Sequence, residues 1–91
     1  MGFLDDLKAA AKDFHEDVIK PVYVANNLLQ MNESAGMTHL TVLVPQLAED
    51  GMLDQVIEAL WGVANNANAP DDTRQKARTF ASHAQALARN L

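Results

Sequence analysis

The sequence predicts an all-α fold: a compact bundle of four to five short helices with a C-terminal antiparallel helical hairpin, in one domain over residues 1–91. Apolar residues recur at i, i+3 and i+4 along nearly the whole chain, which is the spacing of amphipathic helices. The apolar fraction of 48% and the charged fraction of 21% are typical of globular domains. A chain of 91 residues supports one small core, and the absence of cysteine excludes disulfides that would reinforce it.

The first predicted helix starts at Phe3 and ends before Pro21. Asp5 and Asp6 fall in its first turn, where the partial positive charge of a helix N-terminus favours acids. We expect a break or kink at Lys20–Pro21, because proline lacks an amide donor and disfavours the α conformation of its predecessor. The apolar residues of this helix share one face: Phe3, Leu4, Leu7, Ala10, Ala11, Phe14 and Val18.

The second predicted helix begins with Pro21, whose fixed φ suits the first helical position. Its apolar residues repeat at helical spacing from Val22 to Leu29. The opening residues Val22, Tyr23 and Val24 favour strands, so a short strand is the alternative there. The helix is expected to stop at Ser34–Gly36, because glycine readily takes the left-handed conformation that follows many helices.

The third predicted helix is capped by Thr38 and closed by Gly51. Its apolar positions are Leu40, Leu43, Val44, Leu47 and Ala48. The stretch Val42–Pro45 ends in proline and contains β-branched residues, so it could also form a strand. The length of the segment and the polar residues after Pro45 favour a helix.

The last two predicted helices form the C-terminal hairpin. The fourth runs from about Met52 to Asn68 with Trp61 on its apolar face. Asp72 and Gln75 resemble a capping box at the start of the fifth. A short connection makes the two helices antiparallel neighbours. The apolar face of the fifth helix consists of Ala77, Phe80, Ala81, Ala84, Leu87, Ala88 and Leu91.

Charge is distributed unevenly along the chain. All twelve acids lie in residues 1–72 with three lysines, which gives that stretch a formal charge of −9. Residues 73–91 hold four basic residues and no acid, giving +4. Such a polar distribution affects association more than it affects the fold.

The sequence lacks the residue patterns that several kinds of functional site require. None of the three histidines follows a glutamate by three positions, and the segment after His15 lacks the second histidine of a zinc-protease helix, so we expect no metal or other cofactor. The serines have no Gly-x-Ser-x-Gly context, and the four glycines form no phosphate-binding loop. No apolar run approaches the ~20 residues of a membrane span, and the N-terminus lacks the features of a secretion signal. We therefore expect a non-enzymatic, cytoplasmic protein.

These features predict a small acidic protein–protein interaction module that masks a partner surface. An adaptor, an immunity or antitoxin protein and a phage-type inhibitor of a host complex all meet this description. The partner would be another protein or a second copy of the chain. The acidic side chains would contact a basic surface of the partner, and a large aromatic side chain would anchor the contact. The candidate partner-binding residues are Asp5, Asp6, Asp13, Glu16, Asp17 and Trp61.

Two alternatives belong to other functional classes. The first is a nucleic-acid-associated accessory protein that uses Arg74, Lys76 and Arg78. It is disfavoured because the acidic remainder of the chain repels phosphate. The second is a structural homo-oligomer whose helices complete their core only on assembly.

Overall fold

The computed structural model describes residues 20–91, which form the helices α1 (Lys20–Leu29), α2 (Glu33–Glu49), α3 (Leu53–Ala64) and α4 (Asp71–Ala88). These residues include no strand, so the predicted all-α class is confirmed for this part of the chain. The predicted first helix, over residues 3–18, lies outside the described residues. The expected break at Lys20–Pro21 is wrong between these two residues, because Lys20 and Pro21 both belong to α1.

Helix α1 includes the residues for which a strand was the alternative, so the helical prediction is confirmed there. Pro21, Ala25 and Leu28 lie on one face at helical spacing, and all three are buried. Val22 and Tyr23 fall outside that face and remain exposed. One side of α1 thus belongs to the core, and another side meets solvent.

The predicted start of α2 is wrong. The helix begins at Glu33, and its N-cap is Asn32 rather than Thr38. The Asn32 side-chain oxygen accepts a hydrogen bond of 2.7 Å from the backbone N–H of Ala35. Asparagine caps helices at least as well as threonine, and the extended backbone of Asn32 suits this role. Thr38 therefore lies within the helix.

Gly36, predicted as a helix stop, is instead a buried residue inside α2. A Cβ atom at this position would lie 2.6 Å from Cε1 of Phe80 in α4 and closer still to Cζ. Phe80 itself is completely buried. The lack of a side chain at position 36 is what lets the Phe80 ring pack directly against α2.

The stretch Val42–Pro45 is helical, so the strand alternative is wrong. Helix α2 closes at Gly51, as predicted, and the φ of Gly51 is +73°. The Gly51 N–H donates to the carbonyl of Ala48 at 3.1 Å, and the Met52 N–H donates to that of Leu47 at 3.0 Å. This pair of bonds is the Schellman motif, which satisfies carbonyls left open at a helix C-terminus.

Helix α3 ends at Ala64 with Asn65 as its C-cap, earlier than the predicted end at Asn68. The side-chain oxygen of Asn66 accepts a hydrogen bond of 3.0 Å from the N–H of Asn68. Asparagine side chains compete in this way with helical backbone bonds, which explains the early end.

The predicted capping box at the start of α4 is also wrong. Pro70 occupies the N-cap position, so Asp72 lies inside the first turn. The Asp72 side chain accepts a hydrogen bond from the adjacent Thr73 N–H at 2.8 Å and caps nothing beyond it. Asp71 and Asp72 still suit this turn, because acids are stabilised near a helix N-terminus.

All four helices contribute to one core, in which α4 packs against both α2 and α3, and α1 packs mainly against α3. The predicted face of α4 is confirmed for Ala77, Phe80, Ala81 and Ala84, which are all completely buried. The small alanine side chains allow neighbouring helices to approach closely. The largest fully buried side chains are Phe80, Leu28, Leu40, Leu60, Val44 and Val56.

Candidate protein-docking site

An apolar groove, called here the α1–α3 groove, lies between α1 and α3. It has a volume of about 280 Å³. Asn26 is the only residue with an amide side chain in its lining, so the groove offers mainly van der Waals and hydrophobic contact. The lining residues are Val22, Tyr23, Ala25, Asn26 and Leu29 from α1, with Ala59 and Val63 from α3.

Two large apolar side chains at this groove are exposed. Val22 is 54% exposed and Tyr23 is 59% exposed. Elsewhere among residues 20–91, the exposed large apolar side chains are Val42 and the terminal Leu91. Val22 and Tyr23 are adjacent in the sequence and both line the apolar groove. The Tyr23 side chain combines an apolar ring with a polar hydroxyl group, so the pair suits contact with another apolar surface.

The lysine of α4 fixes the position of α1. Lys76 Nζ donates hydrogen bonds to the carbonyl of Leu29 at 3.1 Å and to that of Met31 at 2.8 Å. Leu29 is the last residue of α1 and Met31 follows it closely, so the ammonium lies at the helix C-terminus, where the partial negative charge of the helix favours a cation. The contact joins α4 to the helix that forms one wall of the groove.

Of the three basic residues predicted for nucleic-acid binding, the structure brings Arg74 and Arg78 together and separates Lys76 from them. Lys76 is directed to α1, whereas Arg74 pairs with Asp71 in its own helix. Arg74 and Arg78 line a separate polar hollow along α4 that also includes Asp71 and Gln75. A carboxylate within this hollow reduces its attraction for phosphate.

The residues predicted for partner binding lie in two places. Trp61 is half-buried and packs against the core cluster, and it does not line the α1–α3 groove. Asp5, Asp6, Asp13, Glu16 and Asp17 lie outside the described residues. The groove itself was missed at the sequence level. Its signal in the sequence is the adjacent pair Val22–Tyr23, the same residues that favour the strand alternative.

Exposed acids occupy the C-terminal end of α2, the turn that follows it and the exposed side of α3. These are Glu49, Asp50, Asp54 and Glu58. In residues 20–91 the one ion pair joins Arg74 to Asp71, so these four acids have no basic partner there.

No group of three or more histidine, cysteine, aspartate or glutamate side chains is placed to hold a metal ion in the part of the chain that the structure describes. None of the four helices α1 to α4 is long and apolar enough to cross a membrane.

Comparison of the chain with protein-family models, with curated proteins and with solved structures finds no match.

Proposed function

We propose that this protein is a small, non-enzymatic, cytoplasmic interaction module that masks a surface of another protein. The α1–α3 groove, with Val22 and Tyr23 exposed beside it, is the observation that carries the proposal. An adaptor, an immunity or antitoxin protein and a phage-type inhibitor of a host complex would each need such a docking surface.

The groove fits an amphipathic helix of the partner. Two helices form its walls, and a third helix can insert apolar residues at i, i+3 and i+4 between them. The small side chains of Ala25 and Ala59 in the lining permit close approach of that helix. Tyr23 at the rim supplies apolar area at low entropic cost.

A basic partner is favoured on electrostatic grounds. The whole chain carries a formal charge of −5, and the acids of α3 and the turn before it have no basic partner among residues 20–91. Opposite charge on the partner would accelerate association and suppress wrong partners. The acidic face predicted for residues 3–18, including Asp13, Glu16 and Asp17, would contribute to the same attraction.

The test uses two exposed valines. A tagged full-length chain recovers its binding protein from lysate of the source organism after nuclease treatment, and the affinity of the purified pair is then measured for each variant. Val22→Ser should weaken binding roughly 10-fold, because about 1.4 kcal/mol of apolar burial in the groove is lost. Val42→Ser is the matched control, since Val42 is a similarly exposed valine on α2.

Equal affinities for Val22→Ser and Val42→Ser would refute docking in the groove. A second variant tests the electrostatic part. Reversing the charge of Asp13, Glu16 and Asp17 should weaken binding and reduce its dependence on salt. If neither the affinity nor its salt dependence changes, the acidic face takes no part.

The alternative functions make different predictions. A nucleic-acid accessory protein would reduce the mobility of DNA or RNA in a gel at low salt. Its affinity for the nucleic acid would fall steeply as the salt concentration increases. The contacts that Lys76 and Arg74 make within the chain argue against this role. A structural homo-oligomer would show a melting temperature that increases with protein concentration.

A further inference from the structure

The C-terminal end of α1 is capped by a lysine of another helix. Helix α2 closes through Gly51, which has a positive φ, whereas no residue after α1 has one. The carbonyl of Leu29, the last residue of α1, accepts a hydrogen bond from Lys76 Nζ at 3.1 Å, and that of Met31 accepts a second at 2.8 Å. The last carbonyls of a helix need such partners, so Lys76 does for α1 what Gly51 does for α2.

Little else fixes α1 to the rest of the fold. The two Lys76 hydrogen bonds join residues 47 and 45 positions apart. The other hydrogen bonds among residues 20–91 join residues no more than five positions apart. Leu28 is the one large side chain of α1 that is fully buried, whereas α2 and α3 contribute two each. A helix of ten residues with so little large apolar burial is expected to open at a lower free energy than the rest of the core.

Leu29 connects this cap to the α1–α3 groove, because it lines the groove and its carbonyl accepts the bond from Lys76. Lys76 itself does not line the groove. We propose that Lys76 is a positioning residue of the docking site, which keeps α1 in the place where the groove fits a partner helix. This inference rests on the proposed function, because it concerns the affinity of the same site.

The cap acts on binding through the fraction of molecules in which α1 is docked on α3. Loss of the ammonium removes two hydrogen bonds from a charged donor, which should increase the ratio of displaced to docked α1 roughly 10-fold. A partner helix binds between two walls, so it binds only the docked form. Its apparent affinity therefore decreases in proportion to the docked fraction, although none of its own contacts is removed.

The chain contains no cysteine, so a single introduced thiol can be modified selectively in the full-length protein. Lys76→Cys is alkylated in urea and refolded, and its intact mass confirms that one group has been added. Alkylation with 2-bromoethylamine gives a side chain of lysine length that ends in an ammonium, called here the aminoethyl form. Alkylation with 1-bromopropane gives the propyl form, which ends in a methyl group instead. The two forms differ only in the group that donates to the carbonyls of Leu29 and Met31.

Hydrogen exchange of the free protein measures the opening of α1. The α1 amides should exchange roughly 10-fold faster in the propyl form than in the aminoethyl form. Gly51→Ala is the control, because it strains the distant end of α2. It should accelerate the slowest amides of α4 and leave the exchange of α1 unchanged, since α1 opens before the whole fold does. Equal α1 exchange in the two alkylated forms would overturn the proposal, and so would a Gly51→Ala effect as large in α1 as in α4.

Partner affinity tests the effect on the docking site, at a temperature where circular dichroism shows every variant to be folded. The propyl form should bind the recovered partner roughly 2- to 5-fold more weakly than the aminoethyl form, and Gly51→Ala should bind it normally. Equal affinities of the two alkylated forms would overturn the positioning role. The failures of the two proposals are distinguishable. Equal affinities for Val22→Ser and Val42→Ser refute partner docking in the groove, and the α1 exchange rates then still decide whether Lys76 holds α1.

Discussion

Replacing each of two helical glycines by alanine should change stability in opposite directions. Gly36 and Gly62 both lie inside helices, in α2 and α3. Alanine is favoured over glycine in a helix by about 1 kcal/mol. At Gly62 nothing lies within 4 Å of the added Cβ, so Gly62→Ala should stabilise the protein by about that amount.

At Gly36 the same added methyl group meets the Phe80 ring. The Cβ would lie 2.6 Å from Cε1 and 3.0 Å from Cε2, and Phe80 is completely buried, so its ring has no space to move into. Overpacking of this kind costs about 1–3 kcal/mol. With a cost near the upper end and the helical gain subtracted, Gly36→Ala should destabilise the protein by about 2 kcal/mol.

Thermal and urea unfolding measure both variants. For a domain of this size 1 kcal/mol corresponds to about 4–8 °C in Tm, so Gly62→Ala should increase Tm by that amount and Gly36→Ala should decrease it by about 8–16 °C. Phe80→Leu supplies the control, because a smaller side chain makes room for the methyl group. Gly36→Ala should cost at least 1 kcal/mol less in that background, within the range of couplings for contacting residues. Equal stabilities of the two alanine variants would refute the packing argument.

Substitutions at three other positions test features of the fold outside this pair. Lys76→Met removes the ammonium from the carbonyls of Leu29, the last residue of α1, and of Met31 just after it, so it should destabilise the fold by about 1–2 kcal/mol. Hydrogen exchange should then accelerate in α1 more than in α3, and uniform acceleration would contradict the assignment. Asn32→Ala should cost about 1 kcal/mol through loss of the cap, and Asn32→Asp should cost less in the same urea titration. Gly51→Ala should cost about 1–2 kcal/mol because φ is +73°, although the added Cβ has open space, and an unchanged unfolding midpoint would exclude this strain.

Elements governed by local pattern were predictable from the sequence. The buried face of α4 follows directly from the spacing of its alanines and Phe80. The positive φ of Gly51 follows from its place after an amphipathic helix. In both cases the deciding interaction lies within a few residues along the chain, where sequence spacing translates directly into geometry.

Elements decided by distant contacts were not predictable in this way. Gly36 has the local character of a helix stop, but Phe80, 44 residues later, needs the space that a side chain would fill. Lys76 has the character of a surface cation, but the end of α1 lies beside it in the fold. The prediction of where α2 starts was wrong for a different reason. Asn32 and Thr38 are both competent caps, and the small preference for asparagine over threonine at an N-cap is not enough to select Asn32.

The groove is a third case, in which the sequence contains adjacent apolar residues that a single helix face cannot bury together. Such residues indicate an exposed apolar surface. Val22 and Tyr23 are apolar and follow one another, so a helix with a single core face leaves them partly outside it. A strand would have resolved this conflict by burying alternate residues, which is why it was a reasonable alternative. The chain instead keeps the helix, and burial of Pro21, Ala25 and Leu28 leaves the pair exposed beside the groove. Exposed apolar area is unfavourable unless another surface covers it. The exposure of Val22 and Tyr23 in the folded protein therefore favours an occupant for the groove.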